Sequence, residues 1–162
     1  MPAHERQASA AARRLPGPGH AVLFYDGECG FCRWAVGLLV AWDRGAALFP
    51  VTIQEPAGDD LLAELTPEQR LESWHLITAD GTRYTGGPAF EPLLALLPCG
   101  RPLSRLAGRF DEQTARLYDL VSEHRDRIGR VVPGRLRGWG ERTLEERRRS
   151  AQAPGAQDST SA

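Results

Sequence analysis

Five apolar residues in a row, Ala21–Tyr25 (AVLFY), stand directly before a turn-forming stretch, Asp26-Gly27-Glu28-Cys29-Gly30. An apolar run of that length without alternation reads as a strand buried on both faces. After the turn, Phe31, Trp34, Ala35, Leu38, Leu39 and Trp42 recur at helical spacing, and Ala46–Ile53 (AALFPVTI) returns to strand character. Strand, helix and strand in that order require a parallel pair joined by a right-handed crossover, which narrows the chain to an α/β architecture. Pro50 has no N–H to give to a ladder and favours a strand end or a bulge over a central position.

The rest of the chain completes a small sheet. Asp59 or Asp60 is placed to cap a short helix through Leu65, and Thr66-Pro67-Glu68-Gln69 combines a cap residue, a first-turn proline and a reciprocating glutamine. Trp74–Ala79 and Thr82–Thr85 flank Asp80-Gly81, a strong tight-hairpin signal. Gly86-Gly87-Pro88 opens a helix that carries Phe90, Leu93, Leu94, Leu96 and Leu97 and ends at Pro98. A last helix begins near Asp111, sets Leu117, Tyr118, Val121 and Ile128 on one stripe, and reaches a stop at Gly129. The order β-α-β-α-β-β-α, followed by one more helix, predicts a four-stranded mixed sheet flanked by helices. That is a thioredoxin-like plan with an extra C-terminal helix.

A chain of 162 residues has room for one domain. Residues 1–19 are rich in Ala, Arg, Pro and Gly without periodicity and read as a disordered tail. The globular domain is expected over residues 20–130. Residues 131–162 read as a mostly disordered extension, Ala/Gln/Ser/Pro-rich beyond the arginines from Arg147. The 20 basic residues, all arginine, against 21 acidic ones give a net charge of −1, so there is no global basic field for nucleic acid or an anionic membrane. Arg125, Arg127, Arg130, Arg135 and Arg137 form a local basic strip, but Glu123 and Asp126 are interleaved with it, as on a solvated helix face. Aromatic residues there are too few to stack bases. The N-terminal stretch lacks the apolar core of a secretory signal, and the stretch from Trp34 to Trp42 is too short to span a bilayer. The expectation is a soluble, cytoplasmic protein with neither nucleic acid nor membrane as partner.

Three cysteines do not make a disulfide scaffold, and a close pair in a reducing compartment points to redox or metal chemistry. Cys29 and Cys32 sit three apart where the first strand hands over to the first helix, so their side chains share a face. Their Cα atoms can then lie within the roughly 4.4–6.8 Å that a disulfide needs. The free N–H groups and dipole of the helix N-terminus favour a thiolate on Cys29. At an ordinary pKa of about 8.5 only a few per cent of a thiol is ionised at neutral pH, whereas at about 7 roughly half is. In this division of labour Cys29 attacks a substrate disulfide, and Cys32, flanked by Phe31 and Trp34 and less exposed, resolves the mixed disulfide. Glu28 opposes the thiolate, but an exposed carboxylate is screened and the helix terminus wins. Asp26 either carries the proton of Cys32 during resolution or orients the turn through backbone N–H groups.

Two other readings stand beside this one. The pair can be half of a Zn or Cu site, which needs further donors such as Cys99, His75 or His124 to converge from separate elements. It can also sit idle in a partner-binding domain with no enzymatic activity. Cys99, which follows Pro98 with no cysteine nearby, is expected to be a buried, unreactive thiol.

The stretch Leu23-Phe24-Tyr25-Asp26-Gly27-Glu28-Cys29-Gly30-Phe31-Cys32 resembles the signature of the DCC family of thiol-disulfide oxidoreductases, with Asp26, Cys29 and Cys32 matching its Asp-x-x-Cys-x-x-Cys pattern. The resemblance continues through Asp43, Phe49-Pro50, Asp80-Gly81, Gly86-Gly87-Pro88-Ala89 and Leu117-Tyr118-Asp119 to Ile128-Gly129, over residues 20–130. It implies a thioredoxin-like fold and dithiol–disulfide exchange with no cofactor beyond the two cysteines. Protein or small-molecule thiols and disulfides are then the expected partners, with thioredoxin or glutathione as electron donor. Better-known thioredoxin relatives place a cis-proline just before the hairpin, facing the cysteines. This chain has Glu72-Ser73-Trp74 there, while Pro67 lies too far upstream and Pro88 follows the hairpin. Substrate contacts are expected instead from Trp74 and from the Gly86-Gly87 backbone.

Overall fold

A computed structural model describes residues 20–152. The elements are β1 (Ala21–Tyr25), α1 (Gly30–Trp42), β2 (Leu48–Thr52), α2 (Pro56–Leu61), α3 (Pro67–Glu72), β3 (His75–Ile77) and β4 (Arg83–Thr85). A 3-10 turn (Gly87–Ala89) then leads into α4 (Phe90–Leu96), α5 (Arg101–Arg109), α6 (Asp111–Glu123), α7 (Arg125–Val131) and α8 (Gly134–Gln152). The strands lie in the order β2-β1-β3-β4, with β1 and β2 parallel and the β1–β3 and β3–β4 pairs antiparallel. This mixed sheet with its helices is the thioredoxin-like arrangement that the element order predicts.

Alternate residues of β1 feed two cores. Ala21, Leu23 and Tyr25 pack with Val36 and Val40 of α1 on one face, while Val22 and Phe24 pack with Phe49, Val51 and Leu62 on the other. Burial on both faces explains why this strand reads as an unbroken apolar run. Pro50 lies mid-strand opposite Leu23, but β2 is an edge strand. Because Ile53 N donates to Tyr25 O, alternation turns the Pro50 nitrogen away from β1, so no ladder bond is lost.

Several expectations need correction. The C-terminal extension is folded through the last described residues: α8 runs alongside α1, and Gly140 approaches α1 so closely that a Cβ built there would meet Trp34 Cα at 3.1 Å. The stretch after residue 130 reads as disordered because this helix docks through Gly140, the single core residue Leu144 and Arg147, too few apolar positions to make a stripe. The 1–19 tail lies outside the described residues. The expected last helix is two, broken at His124, and Gly129 does not end it; that glycine is buried inside α7, where a Cβ would come within 3.3 Å of Phe31 N. Helix α2 starts one residue after Glu55, with Pro56 in its first turn, so Asp59 lies inside it and is not its cap. Cys99 is exposed, not buried, in a turn with left-handed backbone (φ 59°) between α4 and α5.

The α1–α8 contact gives a test. A Cβ on Gly37 would lie 2.7 Å from Gly140 Cα, a backbone atom that cannot step aside. Overpacking of this kind costs about 1–3 kcal/mol, more than the ~1 kcal/mol of helix propensity that alanine offers over glycine. Gly37→Ala is therefore expected to destabilise the protein. Gly138→Ala, which meets only the flexible end of Arg142 at 3.5 Å, is expected to leave stability unchanged or raise it, as read in urea unfolding.

His75 is fully buried in β3, with Nε2 donating to Arg70 O (3.1 Å) and Nδ1 2.9 Å from Thr85 Oγ1. A carbonyl can only accept, so Nε2 carries a proton, and in the neutral ring Nδ1 accepts from the Thr85 hydroxyl. Burial pushes its pKa below 6.5 and outweighs the carbonyl hydrogen bond, while the Arg83 and Arg70 guanidiniums push the same way as burial. The unfolded chain then takes up this proton first. The contribution of His75 to stability is present above about pH 6.5 and is lost as pH falls through the folded-state value. Unfolding free energy is expected to drop as pH falls below about 6.5, and to drop less in His75→Gln. Equal slopes in the two proteins would remove His75 from the account.

Candidate active site: a cysteine pair at a helix N-terminus

The chain leaves β1 at Tyr25 and turns through Asp26–Glu28 before α1 begins. The turn is pinned from two sides. Asp26 Oδ1 accepts Glu28 N–H (2.9 Å) and Gln54 Nε2 (2.8 Å), while Gln54 Oε1 accepts Gly27 N–H (3.1 Å). Gln54, just past β2, thus ties the loop before the cysteines to the neighbouring parallel strand. The sequence gives no hint of that role, because 28 positions separate Gln54 from Asp26.

Cys29 is the N-cap of α1, with extended backbone, and its Sγ accepts the N–H of Cys32 at 3.2 Å. The two sulfurs are bonded to each other, with Cα atoms 5.2 Å apart. A thiol at this cap exchanges bulk water for a backbone N–H donor and the helix dipole, and both stabilise the thiolate. Arg137 of α8 adds to this field. A Cβ built on Gly30 would lie 3.5 Å from Arg137 Cδ and 3.7 Å from its Nη1, so a guanidinium rests over the residue next to Cys29. The sequence alone reads Arg137 as part of a solvated face, whereas it is half-buried against α1.

Cys32 faces inward. It packs against the core and lines a cavity of about 380 Å³ between α1 and the β3–α6 side of the molecule. Asp26 and Trp74 line the same cavity, so the structure brings these two sequence candidates together with Cys32. Trp74 is held from three directions: its Nε1 donates to Gly86 O (2.8 Å), its ring stacks on Tyr118 at 5.5 Å, and it meets the edge of Phe90 at 4.9 Å. Tyr118, whose hydroxyl lies 2.9 Å from Ser73 Oγ and accepts Trp74 N–H, closes this cluster.

Gly86 and Gly87 are placed differently from the expectation. Both are buried beneath α6, where a Cβ on Gly87 would meet Ala115 Cα at 2.5 Å, and neither lines the cavity. Gly86 has φ 64°, a left-handed conformation that suits glycine, and from there its carbonyl holds the indole. Helix α6 covers the backbone that was expected to meet substrate.

Among the described residues, no group of three or more His, Cys, Asp or Glu side chains is arranged to hold a metal ion. The donors that a metal site would recruit are dispersed: His75 is engaged at both nitrogens, His124 Nδ1 lies 2.9 Å from Leu120 O, and Cys99 is on the surface.

A family model described as DCC1-like thiol-disulfide oxidoreductase matches residues 23–131, more than half of the chain. The chain belongs to the DCC1-like thiol-disulfide oxidoreductase family. No curated protein and no solved structure matches it. The DCC1-like segment contains the cysteine pair, the sheet from Leu23 onward and the cavity walls, whereas α8 lies beyond it. A Cys-x-x-Cys pair opening α1 of a thioredoxin-like fold is what dithiol–disulfide exchange requires, and this DCC1-like chain has it. None of the helices among the described residues is long and apolar enough to cross a membrane.

Proposed function

We propose that Cys29 is the attacking thiol and Cys32 the resolving thiol of this oxidoreductase, acting on thiols and disulfides in the cytoplasm. The observation that carries the assignment is the position of Cys29 Sγ at the cap of α1, accepting an N–H, while Cys32 turns toward the core. In the reduced protein the Cys29 thiolate attacks one sulfur of a substrate disulfide. A Cys29–substrate bond forms, the substrate S–S bond breaks, and one substrate thiolate leaves. Cys32, deprotonated, then attacks Cys29 Sγ, closing the internal disulfide and releasing the second substrate thiol. The two electrons given to the substrate are restored by an external thiol such as thioredoxin or glutathione.

Asp26 serves in this reading as a positioning residue. One of its oxygens is already committed to Glu28 N–H and Gln54, which supports the turn-orienting role over proton transfer. Trp74 is the substrate contact, and Gly86 contributes by holding the indole in place.

Cys32→Ser leaves the attacking thiol and removes the resolving one. Incubated with cell lysate, it is expected to accumulate mixed disulfides through Cys29 that dithiothreitol releases. No adducts from the variant, together with no internal disulfide in mildly oxidised wild type, would refute the assignment.

A further inference from the structure

We propose that the cavity beside Cys32 selects a small disulfide whose sulfur carries an apolar body ending in a carboxylate, with the carboxylate meeting Arg125. This inference rests on the dithiol chemistry above and names its substrate class. At about 380 Å³ the cavity falls in the usual range for small-molecule sites, roughly 300–1,000 Å³. Its walls are Ala35, Leu38 and Trp42 on α1, facing Trp74, Phe90 and Val121. Leu38 and Trp42 remain 43% and 36% exposed, so α1 offers water an apolar strip that continues to the resolving cysteine. An empty apolar surface of this shape forfeits dispersion and hydrophobic gain that an apolar occupant recovers.

The polar lining sets the other end of the ligand. Ser73 is bonded to Tyr118, Ser122 Oγ donates to Glu72 O (3.2 Å), and Asp26 is held by Gln54. Arg125 differs. Its Nη1 donates to Leu71 O (2.9 Å), but it forms no ion pair among the described residues, which leaves guanidinium donors and a full positive charge at the cavity wall. A planar guanidinium with spare donors matches a carboxylate.

The probe is a series of symmetrical disulfides of straight-chain ω-mercaptoalkanoic acids, from three to eight carbons, with the matching ω-mercaptoalcohol disulfides as neutral controls. Intrinsic reactivity at sulfur is nearly constant along each series, so differences in the second-order rate of oxidation of the reduced full-length protein report the pocket. The rate is expected to rise with length, by up to about fourfold per buried methylene and more than tenfold across the series. The acids should outrun the alcohols of equal length. Arg125→Gln should abolish the acid-over-alcohol ratio, and Ala35→Leu, which fills the cavity, should flatten the length dependence. Rates independent of length, with the shortest disulfide still oxidising the pair, would overturn the pocket inference and leave the dithiol reading standing. Fast oxidation by a protein disulfide such as insulin with a flat small-molecule series would overturn it in favour of a polypeptide occupant. No oxidation of the pair by any disulfide would overturn both.

Discussion

Replacing Arg147 with alanine is expected to cost about 3–5 kcal/mol of stability, the range for removing one partner of a buried ion pair. Asp43 ends α1 with its side chain fully buried, its Oδ1 accepting Ala47 N–H (3.2 Å) and its Oδ2 accepting Leu48 N–H (2.7 Å). Arg147 Nη1 reaches the same carboxylate at 2.8 Å, and Nη2 donates to Val40 O (3.0 Å) and Asp43 O (2.5 Å). One guanidinium therefore neutralises a buried charge and satisfies two carbonyls at the end of α1. Without it the carboxylate stays buried and uncompensated. Arg147→Lys recovers the charge but not the planar fork, so it is expected to recover only part of the loss. Arg149→Ala is the control, because its exposed pair with Glu145, one helical turn away, is worth about 0.3–0.5 kcal/mol at most. Urea unfolding of the three variants checks the order. A loss below about 1 kcal/mol for Arg147→Ala would mean that α8 contributes little to holding the fold.

Cys29→Ser is expected to reduce catalysed disulfide exchange to the rate of the buffer alone, measured as dithiothreitol-driven insulin reduction. The substitution is clean in structural terms. Serine is a preferred N-cap residue, and its oxygen can accept the Cys32 N–H that Cys29 Sγ accepts now. The stability of the reduced protein should therefore hold or rise slightly while activity disappears, which separates lost chemistry from lost structure. Cys32→Ser should behave differently, forming the first adduct and failing to complete the cycle. Retention of a tenth or more of the wild-type rate in Cys29→Ser would move the attacking role elsewhere.

The first half of the fold was legible in the residues, for identifiable reasons. β1 is buried on both faces and reads as an unbroken apolar run, and the Thr66–Gln69 capping box forms as its letters suggest, with Gln69 N–H donating to Thr66 Oγ1 and Thr66 N–H to Gln69 Oε1. The hairpin around Asp80-Gly81 is likewise there, with Gly81 at φ 83°. These signals are local. What escaped depends on distant partners. Helix α5 carries Leu103 and Leu106 on a largely exposed side, 45% and 54% accessible, so it has no apolar period tied to a core. Helix α8 docks through Gly140 and Arg147, residue types that read as loop and tail when their partners are unknown. The site shows the same division. Cys29, Cys32 and Asp26 stand in one short motif, whereas Gln54, Tyr118 and Arg137 reach it from separate elements and carry no local mark. The burial of Gly86 and Gly87 is equally hidden, because nothing in the letters announces that α6 lies over them.

The family match stops at residue 131, yet α8, which begins at Gly134, covers one flank of the helix that bears the cysteines. Its two ends do different work: Arg137 lies over Gly30, the residue after Cys29, and Arg147 closes the far end of α1 at Asp43. The stretch outside the shared segment thus acts as a splint along the helix that bears the cysteine pair. A change in that C-terminal sequence would alter the stiffness and charge beside the cysteine pair without touching the motif itself.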